Sequence, residues 1–289
     1  MSRIDLHTHS SISDGLLTPR KLVELAAEEG LSTIALADHD TVDGIDEALS
    51  AGEEFGVEVI PAIEISVNHE DGSMHLLGYY IDHLNADLLE MLQKLKESRE
   101  ERNVKIIARL NELGYGIELN DVLALSTDGT CGRAHIAGAL VARGYFPDVK
   151  SAFDALLNSR GPAYIDRYRL ELNDAIDFIH HAGGAAVWAH PGNHADKMER
   201  MLDRLALWKG YGLDGIESDY CDHTIELRDR LRSLAREYGL IYTGGSDFHG
   251  SIKPQNTLGS GPEGSEIDTA CLTQLRERVK YLRGAGSAL

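Results

Sequence analysis

The 289-residue chain carries 28 Lys and Arg against 47 Asp and Glu, a formal net charge of −19. It therefore lacks the basic face needed to coat long duplex nucleic acid, yet it can take a phosphorylated substrate, because divalent ions bound in a pocket reverse the local field. A hydrophobic fraction of 43% supports the core of one large α/β domain, or of one such domain with an insert.

The first predicted element is the strand Ile4-Asp5-Leu6-His7-Thr8-His9, which alternates apolar and polar residues. Residues two apart in a strand share a face, so His7 and His9 can bind one ion together. Asp14 follows in a Ser/Asp/Gly loop that can fold back over that ion. Thr18-Pro19 reads as a cap and first position of a helix that ends at Gly30. The apolar run 32–37 then stops in Asp38-His39-Asp40, as a strand covered on both faces would. Helix Ile45–Phe55 leads to strand Glu58–Glu64, and His69-Glu-Asp-Gly marks a hairpin turn before Met74–Tyr80.

From about Asn85 the pattern changes. Residues 86–113 read as one long charged helix stopped by Gly114, with shorter helices near 133–143 and 147–158. The spacing therefore divides the chain into an α/β body over 1–83 and 164–289 and a helical insert over 84–163. Alternation resumes with helix Glu171–Ala182, strand Ala185–His190, helix Lys197–Lys209, strand Asp214–Glu217, helix Ile225–Tyr238 and strand Leu240–Asp247. Repeated βα units at this spacing imply a parallel sheet or a barrel, whose site residues gather at the C-terminal ends of the strands.

Those strand ends deliver His7, His9, Asp14, His39, Glu64, His75, His190, Asp247 and His249 to one rim. A lone His39 or His75 would more often be a hydrogen-bonded core histidine, and Glu64 or Asp247 could cap the next helix. The joint placement decides for metal. Imidazole mixed with carboxylate suits Zn, Mn or Fe, and nine ligands are enough for two or three divalent ions, with Glu64 suited to bridging. His69, His83, His180 and His181 read as surface residues, and Cys131, Cys221 and Cys271 as apolar filler, being odd in number and far apart. No basic-then-apolar leader precedes the first strand, and no run approaches the ~20 apolar residues of a membrane span. A cytoplasmic protein with no membrane partner is expected.

The segments Asp5-Leu-His-Thr-His-Ser, Ala37-Asp-His-Asp, Ala62-Ile-Glu-Ile-Ser, His75-Leu-Leu-Gly, Ala189-His-Pro-Gly and Gly245-Ser-Asp-Phe-His together resemble the motifs of the PHP (polymerase and histidinol phosphatase) family. The resemblance runs over nearly the whole chain in the right order. It implies a distorted (β/α)7 barrel with a helical insert, a di- or trinuclear centre, and three ligand sets. His7, His9, Glu64 and Asp247 would hold one ion, Glu64, His75 and His190 a second, and Asp14, His39 and His249 a third. Within the insert, Gly132-Arg133-Ala-His135-Ile-Ala-x-x-Leu140 looks like the Arg-x-His-x-x-x-x-Leu element of stand-alone PHP phosphoesterases acting on nucleotides, with Arg133 as a phosphate fork and His135 as a second donor. Relatives that hydrolyse nucleoside 3′,5′-bisphosphates carry Arg-Tyr after the His-Pro-Gly element, where this chain has Asn193-His194. That departure removes a charged phosphate contact and leaves His194 either a general acid or an exposed loop residue.

The expected activity is a metal-dependent phosphoesterase in which hydroxide from a metal-bridging water attacks phosphorus in line. Its substrate would be a small nucleotide, AMP-like or a 3′,5′-bisphosphate, or a short oligonucleotide end, with the insert as a substrate lid. Histidinol phosphate is the nearest alternative. An amidohydrolase-like C–N hydrolase shares the His-x-His start but leaves the Asp14, His39 and His249 set without a purpose. A non-catalytic barrel would have lost ligands, and none is missing.

Overall fold

The computed structural model describes residues 3–70, 72–125, 131–194 and 196–286. Seven strands follow one path of hydrogen-bonded neighbours: β1 (Arg3–Thr8), β2 (Leu31–Leu36), β3 (Glu58–His69), β4 (Gly72–Tyr79), β6 (Ala185–Trp188), β7 (Gly215–Tyr220) and β8 (Ile241–Gly245), with the short β5 (Leu170–Glu171) beside β3. β1, β2 and β3 pair in parallel, as do β6, β7 and β8, while β4 runs antiparallel to both β3 and β6. The path comes back on itself through a parallel bridge from Thr8 to Phe248 and a 3.0 Å bond from His9 N to the Phe248 carbonyl. The expected turn after His69 joins β3 to β4, its Asp71 lying outside the described residues.

Local chemistry explains the framing helices. In α1 (Pro19–Glu28) the Thr18 side chain accepts from Lys21 N, proline opens the helix, and Leu22, Val23 and Ala26 turn inward. The helices α2 (Ile45–Phe55) and α10 (Ile225–Tyr238) each end on a left-handed glycine. β6 and β7 are buried along their whole length, as strands covered on both faces are.

Two compact units result, Met1–Glu90 with Leu170–Leu289, and Met91–Arg169. The division falls a few residues beyond the expected 84 and 163. The long helix α3 (Ala86–Glu112) is anchored at its start by Asn85, which accepts from Leu88 N and donates to the His181 carbonyl, so its first turn belongs with the sheet. The second unit adds α4 (Leu119–Leu123), α5 (Arg133–Ala142) and α6 (Val149–Ala152), the last running into a π-turn over Phe153–Leu157. Its own core contains Ile106, Leu110, Ile117, Val122, Ile136 and Leu140.

Several elements differ from expectation. The helix expected over 171–182 starts at Leu172 as α7 (Leu172–His181), because Leu170 and Glu171 pair with β3. The helix expected over 197–209 is two, α8 (Met198–Leu202) and α9 (Leu205–Tyr211). Strand β7 runs on to Tyr220 through Ser218 and Asp219, whose polarity hid it; Arg232 pairs with the buried Asp219. The closing helix α11 (Ala270–Gly286) was not anticipated. Cys131 and Cys271 are buried as expected, whereas Cys221 is half-buried, its thiol directed at the Ser246 carbonyl. His69, His83 and His180 are half-buried instead of on the surface, the last two facing Asp46 and Asp214 at 2.8 Å. Among the described residues no helix is long and apolar enough to cross a membrane.

Candidate metal centre

The first strand is fixed from below by a carboxylate. Asp5 accepts hydrogen bonds from His7 N, Ser246 N, the Ser246 hydroxyl and Gly259 N, which ties β1 to the segment after β8. Burial raises its pKa to about 6 in spite of those bonds. Gly245 makes the approach possible, since a Cβ there would lie 2.2 Å from that of His7. Asp38 does the same for the loop after β1, accepting from Ser10 N, the Ser10 hydroxyl and the Ser13 hydroxyl. At Gly15 a Cβ would meet the His9 carbonyl oxygen at 2.5 Å, so the loop can fold tightly enough to return Asp14 to the rim.

Glu64, fully buried in β3, is the hub. Its Oε1 lies 2.8 Å from both His75 Nδ1 and His190 Nε2. Its Oε2 lies 3.0 Å from His39 Nδ1, 3.3 Å from His9 Nε2 and 3.4 Å from His7 Nε2. Asp247 Oδ1 stands 3.1 Å from His9 Nε2 and 3.7 Å from His7 Nε2, and Asp14 Oδ1 stands 3.1 Å from His249 Nε2. Three groups of donor atoms are each compact enough for one ion: His7, His9, Glu64 and Asp247; His9, Asp14, His39 and His249; and His39, Glu64 and His75. The first is the set expected from the family motifs. The other two differ in that His9 also faces Asp14, and His39 joins Glu64 and His75 in the place given to His190.

The donor set passes a chemical test for metal. The Nε2 of His7, both ring nitrogens of His9, His39 Nδ1, His190 Nδ1, His249 Nε2 and Glu64 Oε2 are buried with no hydrogen-bond partner, a concentration of orphaned polar atoms that a cation would relieve. Without one, the site compensates itself. Burial pulls His7 down, but Glu217 and Glu64 outweigh it and raise the ring well above the ordinary histidine value. His9 rises to about 9 because Asp247 and Glu64 overcome its burial. Burial pushes Glu64 and Asp247 up, and the surrounding histidines reverse this and hold both well below the usual carboxylate range. His75 and His249 are lowered, chiefly by burial. Two of the nine expected ligands also hold unfavourable backbone: His190 at φ 30° and Asp247 at φ 53°, a strain that collects where geometry serves a site.

Residues outside the nine complete the arrangement. Glu217, on β7, places Oε1 2.9 Å from His7 Nδ1 and accepts from His190 N at 2.7 Å through Oε2. It fixes the His7 ring so that Nε2 faces the rim, as carboxylates behind metal-binding histidines do. Asp247 Oδ2 accepts from the Tyr220 hydroxyl at 3.1 Å and from Lys253 Nζ at 2.7 Å. His223, fully inside, faces the Ser218 carbonyl with Nδ1 and accepts from Gly192 N. The sequence offered one hint of Glu217, a carboxylate ending an apolar strand; the others carry no pattern of their own. His194 sits in a 3-10 turn after His190. Burial, helped by His190, His75, His69 and Lys197, lowers it to about 4.

In the helical unit, Arg133 opens α5, donates from Nη1 to the Leu157 carbonyl at 3.0 Å, and stacks on Phe153 and Tyr164. His135 accepts from Gly132 N through Nδ1, which leaves Nε2 as the donor.

The chain is similar to several known proteins. A 5′-3′ exoribonuclease of Haemophilus influenzae is 38% identical over 86% of this chain and 90% of its own. A 3′,5′-nucleoside bisphosphate phosphatase of Chromobacterium violaceum is 33% identical over 86% and 88%. The crystal structure of a protein described as a metal-dependent phosphoesterase from Bifidobacterium adolescentis superposes with a TM-score of 0.83 at 34% identity, covering 96% of each chain. The PHP domain model matches residues 5–175, and with the histidines and carboxylates converging on Glu64 this chain belongs to the PHP domain family of metal-dependent phosphoesterases.

Proposed function

We propose that this enzyme hydrolyses a phosphate ester of a small nucleotide, or of a short oligonucleotide end, at a centre of two or three ions chosen from Mn, Zn and Fe. The observation that carries the reading is the set of buried, orphaned imidazole and carboxylate atoms around Glu64. Bound there, divalent ions supply an activated water and electrophilic contacts to phosphoryl oxygens. Glu64 presents its two oxygens to different histidine groups and so sets their spacing. Glu217 holds the His7 ring in one tautomer, and Tyr220 and Lys253 hold Asp247 in one rotamer. No side-chain nucleophile is required by this arrangement. Arg133 and His135 bind substrate phosphate, and the helical unit acts as the substrate lid. Nucleotide chemistry is favoured by the relatives, one named for RNA ends and one for nucleoside bisphosphates. With Asn193-His194 in place of an arginine and a tyrosine, a ribonucleotide end stands level with the bisphosphate as substrate.

The test is phosphate and nucleotide release by Mn-loaded protein from 5′-AMP, 3′-AMP, 3′,5′-adenosine bisphosphate, a 5′-phosphorylated dinucleotide and histidinol phosphate. Preferential turnover of a nucleotide is expected. Turnover of histidinol phosphate alone would reject the nucleotide assignment and leave the metal centre standing.

A further inference from the structure

Within the helical unit, Arg102 on α3 has only 6% of its surface exposed. Its Nε is buried with no hydrogen-bond partner, and among the described residues no ion pair reaches its guanidinium. Burial first, then the charges of Arg167, Arg133, Arg99 and Arg169, push it down to about 9. A guanidinium keeps its proton at neutral pH, so the charge stays and its compensation is missing. Asp166, a carboxylate that bears on neighbouring Arg133, is already engaged: Arg169 Nη1 holds it at 2.6 Å and the Tyr164 hydroxyl donates to it at 2.9 Å. The next residue along α3, Asn103, donates to the Cys131 carbonyl at 2.7 Å, which pins α3 beside the start of α5, where Arg133 sits. Arg133 is itself half-buried, lowered by burial and by Arg169 and Arg167, and walled by Phe153 and Tyr164. The positive end of α5 adds to the same field.

An unpaired buried cation is costly by ordinary solvation arguments, and an apolar side chain fills such a position without that cost. We infer that Arg102, together with Arg133, forms an anion site in the helical unit whose ligand is a phosphate dianion. The planar forks of two arginines suit tetrahedral oxyanions better than a carboxylate or chloride. This inference rests on the proposed phosphoesterase reaction for its purpose, since it makes Arg102 a specificity residue for phosphorylated substrates. Its test reads binding alone.

Calorimetric titration of the full-length protein with inorganic phosphate, with metal bound and after chelation, compares wild type with R102M, R102K and R133M. Phosphate binding to the chelated wild type, weakened at least ~10-fold in R102M and R133M and largely kept in R102K, supports the site. Melting provides a second reading. With no phosphate present R102M is expected to melt at or above the wild type, because it removes an uncompensated charge, and phosphate should raise the melting temperature of the wild type but not of R102M. Unchanged phosphate affinity in R102M overturns the inference, as does an R102M that melts well below wild type with no phosphate present. Binding that depends on Arg102 upholds the site even if no ester turns over, so the two readings fail separately.

Discussion

The metal centre and the arginine group of the helical unit solve the same problem in opposite ways. Both bury ionisable side chains, His7, His9, Glu64 and Asp247 in the one and Arg102 in the other. Around Glu64 the charges are mixed, so with no ion bound the carboxylates hold protons on His7 and His9 and the site neutralises itself. Around Arg102 the charges that bear most on it are those of Arg167, Arg133, Arg99 and Arg169, and proton transfer cannot relieve its burial. A mixed-charge site therefore reports its ligand through orphaned atoms and displaced protons, and a like-charge site through missing counter-charge.

The sharpest way to break the first pattern is Glu64→Gln. Glutamine keeps the volume but cannot serve two histidine groups as an anion, so turnover should fall to the level of chelated protein, with metal analysis showing fewer ions per chain. Retained metal content and rate would remove Glu64 from the centre. A smaller loss is expected from Glu217→Gln, which leaves all nine ligands in place. Metal affinity should drop ~10- to 100-fold, the usual cost of removing a carboxylate behind a ligating histidine, while saturating metal restores much of the rate. A rate that metal cannot restore would assign Glu217 a direct part in the chemistry.

The smallest effect concerns stability against pH. His9 is raised from 6.5 to about 9 in the folded metal-free protein, so its contribution is complete below pH ~6.5 and is lost as pH rises through about 9. His7 and His39 move the same way. Glu64, Asp14 and Asp247 are depressed, so their contribution is present above the ordinary carboxylate range and is lost in acid. Chelated protein should therefore lose about 3 kcal/mol of stability between pH ~6.5 and ~9, each pH unit being worth ~1.4 kcal/mol per proton, seen as a falling denaturation midpoint. Metal-loaded protein, whose imidazoles serve as neutral ligands, should not show that fall. Parallel curves for the two forms would contradict the self-neutralised picture.

Several residues of the candidate centre were conspicuous in the sequence as polar residues at the ends of apolar strands, whereas Glu64 lies within β3 and His75 near the start of the antiparallel β4. His7 and His9 two apart on β1, or Asp247 and His249 after β8, announce themselves by position. Asp5 and Asp38 did not, and Glu217 gave only its place at the end of an apolar strand, since each acts through a partner 25 to 254 residues away, and a carboxylate's distant partner leaves no local pattern. Arg102 was invisible for a related reason. On a long charged helix its letter looks like any solvated arginine, and only packing tells that this one is inside. The extension of β7 was likewise hidden, its polar Asp219 being held by Arg232 on α10.

The clasp made by Asp5 has a consequence for how the protein is made. Its partners Ser246 and Gly259 lie 241 and 254 residues downstream, and Glu217 reaches back 210 residues to His7. On the ribosome His7 emerges 210 residues before the Glu217 carboxylate that aims its ring. Closing such long loops is entropically costly and late. Completion of the first ligand set thus waits for Asp247, and a chain stalled before residue 245 carries His7, His9 and Glu64 without the second carboxylate beside them.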